Sequence, residues 1–281
     1  MNLDTEMART MRQAQGIGDC GFKSKFEWKI LPEDAHKQDP RNLWLTTAVI
    51  DEQGSFSAGF VIPAHDNPLR LVDLIEVERQ AGIVFAHHNL AIRSDFVFVL
   101  TGISLNVVSP ADWHGNGGLS GRVTVSLADP PEAQSIRQAR MHFALETHQG
   151  PLAWGTAAVR FLPPALYARL RGRAMEDQSR LKDGTPLEAL NPNIVFLDLM
   201  DPLVGDHSSD HVSGMAVAVG IERTLTARSG GSLRRLSLVF QEYIEHLSPL
   251  LLSVDDHRRG QVVGRVHQAG VTKATFSGAL A

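Results

Sequence analysis

The chain has 281 residues, 43% of them apolar and 21% charged, with a formal net charge of −4 at pH 7. That length can bury a sizeable core and hold two domains, and the mildly acidic balance excludes a basic face for nucleic acid. The single cysteine, Cys20, excludes an internal disulfide framework and suits a reducing, cytoplasmic setting, while no apolar run approaches a membrane span or the core of an export leader.

In chain order, residues 1–24 read as a flexible N-terminal extension. The run GIGDCG within it (Gly16 to Gly21) matches a dinucleotide fingerprint, but a polar helical stretch precedes it and a strand-like one follows, the reverse of what that fingerprint needs. From Phe26 to about Ala64, FEWKI, NLWLTTAVI and SFSAGFVI read as strands. A helix is then predicted near 68–88, apolar on most faces and therefore buried, with Asp73, Glu76 and Gln80 on one stripe and Arg79 beside them. Long strands follow, interrupted by the Gly-rich loop around 115–118 and by a hairpin at HQGP. Residues 166–187, rich in charge and proline, read as a connector, part helical.

The order then repeats. NPNIVFLDLM reads as a strand, a small-residue apolar helix is predicted near 212–228, and LRRLSLVFQEYIEHLSPLLLSVD reads as a strand pair on which Glu242, Glu245 and His246 are solvated alternation. A closing hairpin ends the chain. Arg223 follows Arg79 by 144 residues, and the same offset puts Asp210 on Asp66. The predicted fold is α+β: a tandem hotdog, each unit a long central helix wrapped by a curved antiparallel sheet. Unit 1 spans 25–165 and unit 2 spans 188–281. The two would make a monomeric pseudo-dimer or associate further as a homodimer.

Three stretches carry a family likeness. AHKQDPRNLWLT, IEVERQAGIVFAHH and DHSSDHVSGM, in this order, are similar to the opening strand, first-helix motif and second-repeat motif of the A-factor biosynthesis (AfsA-type) hotdog proteins. The resemblance implies an enzyme that joins a β-ketoacyl group, carried on acyl carrier protein, to the primary hydroxyl of glycerone phosphate, on the way to γ-butyrolactone or butenolide signals. Where the family's second helix repeats Glu-x-x-Arg-Gln, counting from Met215 puts Val219 in the glutamate slot and Glu222 in the arginine slot. A one-residue slip restores Arg223 instead, and in either register the glutamate is gone.

The residues suggest a composite site. Glu76, desolvated on a buried helix, would have a raised pKa and act as general base opposite His207, with Asp210 and His211 completing the catalytic set. N–H groups near Gly214 would hold the thioester oxyanion, and Arg79, Gln80 and Arg223 would bind substrate, an arginine fork suiting phosphate. The reciprocal pair, His65 with Val219, lacks a proton acceptor. Each residue has a structural reading as well: Glu76 with Arg79 as a buried ion pair, His207 with Asp206 as a helix cap. A dehydratase or thioesterase, or a non-catalytic acyl-binding protein, are the other functions weighed. No cofactor and no metal are expected.

Overall fold

Alternation builds the first strands, interrupted in the first of them by a register shift between Leu45 and Ala48. In β2 (Leu45–Ile50) and β3 (Phe56–Ile62), Ala48, Ile50, Phe56, Ala58, Phe60 and Ile62 are buried on one face, while Ser57, Gly59 and Val61 point away. The computed structural model describes residues 25–64, 69–108, 118–129, 137–179, 194–195, 201, 203–206, 210–246, 249–258 and 260–281. The 1–24 extension, most of the 115–118 loop, His65, Asp66 and His207 lie outside the described residues.

The remaining strands are β1 (Phe26–Lys29), β4 (Val97–Val107), β5 (Leu119–Leu127), β6 (Gln138–Thr147), β7 (Gly150–Leu162), β8 (Ile194–Val195), β9 (Leu233–Phe240), β10 (Leu250–Arg258), β11 (Gln261–Gln268) and β12 (Val271–Leu280). The described strands form one sheet in the order β1-β2-β3-β5-β6-β7-β4-β9-β12-β11-β10-β8, every neighbour antiparallel. The join between the earlier and later strands is β4 with β9, in register from Gly102 opposite Val239 to Asn106 opposite Arg235.

Close approach of aromatic rings to glycine recurs across this sheet. Gly121 lies opposite Phe60, and a Cβ there would come within 2.7 Å of the Phe60 ring. Gly264 lies opposite Phe276, and its Cβ would fall 2.5 Å from that ring. Both phenylalanines fold over their glycine into the core, so both positions exclude a side chain.

Among the described residues there are three α-helices: α1 (Leu71–His88), α2 (Pro164–Ser179) and α3 (Gly214–Ser229). Helix α1 is buried from Leu71 to Ala86 except at Arg79, and it packs against β2, β3, β4, β5, β7 and β9. Its orphan N-terminal N–H groups find acceptors on another element, since Glu222 of α3 takes Leu71 N at 2.8 Å and Val72 N at 3.0 Å. Helix α3 starts at an N-cap serine, Ser213, whose hydroxyl accepts from Ala216 N at 3.1 Å, and ends at Gly230 in a left-handed conformation. None of the described helices is long and apolar enough to cross a membrane.

One expectation changes. Glu242, Glu245 and His246 are not on a strand. They lie in the link between β9 and β10, which leaves the ladder after Phe240. Helix α2 runs from Pro164 to Ser179, so the connector is regular structure over much of its length.

Candidate active site

Glu76 is the polar centre of α1, fully buried, and its carboxylate is saturated. Arg79 donates to it through Nε (2.8 Å) and Nη2 (2.9 Å), Gln80 through Nε2 (2.8 Å), and Lys37 Nζ lies 2.9 Å away. Burial alone would push this carboxyl up, but Arg79, Lys37 and Gln80 outweigh it and hold Glu76 down to about 2. The raised pKa expected from the sequence is therefore corrected. A base that weak, with its lone pairs occupied, is unsuited to taking a proton from a hydroxyl.

The same cluster reaches across to the segment before α3. Asp206 accepts from Asn42 Nδ2 (2.7 Å) and from the backbone N–H groups of Gln38 and Asp39 (3.2 Å each), with Lys37 Nζ at 3.6 Å. Its burial is offset by these donors, which keep the carboxyl below its ordinary range. Two cations, Lys37 and Arg79, thus balance two carboxylates, Glu76 and Asp206. Gln80 spends both amide hydrogens on Glu76 and Asn42 O and accepts from Trp44 N. It stitches the 42–44 segment to α1 and has no donor left for a substrate. Arg79 differs: its side chain is 18% exposed, and Nη1 has no hydrogen bond to any described residue.

A second cluster forms around Asp210 and His211. His211 Nδ1 lies 2.7 Å from Asp210 Oδ1, and the Tyr167 hydroxyl donates to the same oxygen at 2.7 Å. Arg171 donates from Nε to Asp210 Oδ2 (2.8 Å) and from Nη2 to Asp210 O (3.0 Å), and grips Glu245 with both terminal nitrogens (2.6 and 2.8 Å). Its guanidinium sits 4.9 Å above the centre of the Tyr243 ring, against which His211 packs edge-on. Partial burial works against the Asp210 charge, but Tyr167, His211 and Arg171 hold its carboxyl well below the usual range. Tyr167 is pushed up by burial and by the carboxylate it serves. Next along the chain, Val212 N is tied to Ile244 O, and α3 begins two residues later.

The structure thus separates the residues expected to form one site. Glu76, Arg79 and Gln80 gather with Lys37 and Asp206, whereas Asp210 and His211 gather with side chains from α2 and the 241–246 link. Gly214 has no room for a side chain, since a Cβ would lie 2.9 Å from Leu100 Cδ2 and 3.2 Å from the Phe240 ring. The first N–H groups of α3, Gly214 and Met215, have no acceptor within their own helix. Arg223 is exposed. Burial breaks at Arg79 in α1 and at Arg223 in α3, the two positions that a 144-residue offset aligns, and the same offset aligns Glu76 with Gly220.

Sequence reasoning missed Tyr167, Arg171, Tyr243 and Glu245. A signal existed, because the chain has two tyrosines and both stand in this cluster. Also missed was Glu78, fully buried with neither oxygen bonded to a described residue, its pKa raised well above the ordinary value by burial.

Comparison with known proteins places these clusters in context. The family model of the A-factor biosynthesis hotdog domain matches residues 21–163. No curated protein matches the sequence. Among solved structures, an acyl-ACP thioesterase from Bacteroides thetaiotaomicron is similar with a TM-score of 0.55 and 10% identity, covering 80% of this chain and 97% of its own. The 12:0-ACP thioesterase from Umbellularia californica covers 94% of this chain and 99% of its own at 11% identity, with a TM-score of 0.49. At such identities the likeness speaks for the fold alone: a hotdog-like arrangement of one large antiparallel sheet with few helices.

Proposed function

The chain belongs to the A-factor biosynthesis hotdog family, and from that premise we propose that it is an acyltransferase. It would carry a β-ketoacyl group from acyl carrier protein to the primary hydroxyl of a small phosphorylated acceptor such as glycerone phosphate. In this reading the molecule is a tandem hotdog, with units 25–165 and 188–281 built around α1 and α3. The observation that carries the chemistry is the Asp210–His211 contact beside the start of α3. With Nδ1–H directed at a carboxylate, the basic lone pair of a neutral imidazole lies on Nε2. His211 Nε2 takes the acceptor's hydroxyl proton, the alkoxide oxygen attacks the thioester carbonyl, and the carbon–sulfur bond breaks. The proton then passes from His211 to the departing pantetheine sulfur. In this reading the N–H groups of Gly214 and Met215 hold the oxyanion in between. The acceptor, in the same reading, spans the two clusters, its hydroxyl at His211 and its phosphate at the edge of Arg79 that Glu76 leaves open. Arg223, expected from the sequence to share that role, is exposed on α3.

The second reading is hydrolysis, with water as acceptor, and it draws on thioesterases that share the fold. Both are tested by incubating the protein with a β-ketoacyl pantetheine thioester, with and without glycerone phosphate. Ester formation that depends on glycerone phosphate supports the transferase. Free acid formed equally in both arms replaces it with a thioesterase, and an alkene product with a dehydratase. His211→Ala should lower turnover by about 10²–10⁴-fold. Arg79→Ala should raise the KM for glycerone phosphate far more than that for the thioester, and equal increases would remove the phosphate site.

A further inference from the structure

The described part of α2 is solvent-exposed along its length with two exceptions. Of the side chains from Pro164 to Gly172, Tyr167 is half-buried and Arg171 is 3% exposed. They stand four residues apart, on one face. That face meets Asp210, the residue next to His211. Tyr167 and Arg171 together fill the Asp210 carboxylate: the phenol reaches Oδ1 and the guanidinium reaches Oδ2 and the Asp210 carbonyl. The other half of the guanidinium is clamped by Glu245, and its flat face is covered by Tyr243. Asp210 itself is 39% exposed at its side chain. On its own such a carboxylate would sample several rotamers and hydrate freely, and only one orientation points an oxygen at His211 Nδ1.

We infer that Tyr167 and Arg171, on the helix linking the two halves of the chain, are positioning residues that lock Asp210 so that His211 presents Nε2 to the substrate. The inference rests on the reading of His211 as the base. The charges around the imidazole give it a distinctive signature. Asp210 lies in contact, Arg171 and Glu245 lie behind it, Tyr167 and Tyr243 flank it, and Arg160 of β7 acts on Tyr243. With neutral imidazole, Arg171, Asp210 and Glu245 sum to −1, so the proton His211 accepts during turnover brings the cluster to neutrality.

The test measures thiol release from the β-ketoacyl pantetheine thioester across pH, in the presence of glycerone phosphate. Arg171→Met should lower kcat by about 10–100-fold, the scale on which an orienting partner acts, with the thioester KM within about twofold. The acidic limb of its pH–rate profile should move up by about one unit, and that of Glu245→Gln should move down by a similar amount, as expected when a cation or an anion is removed within a few ångströms. Arg171→Lys keeps the charge but not the fork, so the limb should return while kcat stays low. Tyr167→Phe, which removes one oxygen atom and no charge, should lower kcat without moving the limb. An unmoved limb in both Arg171→Met and Glu245→Gln, with His211→Ala inactive, would overturn the inference alone. A fully active His211→Ala would overturn the assignment of the base and this inference with it.

Discussion

Glu76 and Glu78 sit two residues apart on α1, both fully buried, in opposite chemical situations. Glu76 faces Lys37, Arg79 and Gln80 and is held ionised. Glu78 faces the backbone of β7 and β4: a Cβ on Gly155 would lie 2.8 Å from one of its oxygens, and no described group bonds to it. A carboxylate without a partner in such a place is strongly disfavoured, so Glu78 is neutral in the fold. The two should respond differently to the same substitution. Glu76→Gln leaves Lys37 and Arg79 sharing Asp206 alone and should cost about 3–5 kcal/mol in urea unfolding. Glu78→Gln exchanges one uncharged group for another of the same shape and should stay within about 1 kcal/mol of the parent. Equal losses would mean that Glu78 is ionised and paired. The sequence sets Glu76 on one stripe with Asp73 and Gln80 but gives no sign of how differently Glu76 and Glu78 are partnered. The partner that distinguishes them, Lys37, lies 39 positions away along the chain, and no periodicity within α1 points to it.

At the scale of elements, α1 and α3 are joined through Glu222, which caps the start of α1. Burial is the largest influence on its carboxyl and raises it to about 7, against the two backbone N–H donors that lower it. The unfolded value is near 4.5, so below that pH the proton is bound in both states and nothing is lost. As pH rises from about 4.5 to 7 the folded protein retains a proton that the unfolded chain has released, and stability falls across that window. A shift of this size corresponds to up to about 3 kcal/mol. Glu222→Gln should abolish that share of the slope, and unfolding measured at pH 4.5 and pH 7.5 checks it. A slope identical to the parent's would place the titration elsewhere. Both helices were legible from the sequence, because a long apolar run marks each of them. The role of the connector was not: α2 is exposed almost all round as far as Gly172, and its two inward residues gain meaning only from Asp210, about forty positions on.

For the whole molecule, the β4–β9 ladder makes the two halves of the sheet one surface. Antiparallel strands were readable from their alternation, but which strands meet across the middle depends on twist and burial that no local pattern records. Residues 25–165 expressed alone would leave one edge of β4 open from Gly102 to Asn106, and β9 and Glu222 of α3 would be missing from around α1. Size-exclusion chromatography should find this fragment aggregated or self-associated. A stable monomer would show that the first half closes by itself. The same ladder also has a consequence in time. Ser104 pairs with Ser237, so β4 meets its second neighbour only after 133 further residues have been made. At ribosomal rates of about 5–20 residues per second, that edge stays bare for roughly 7–27 s on each nascent chain. Through that interval the fold depends on whatever shields a finished half while it waits for the other.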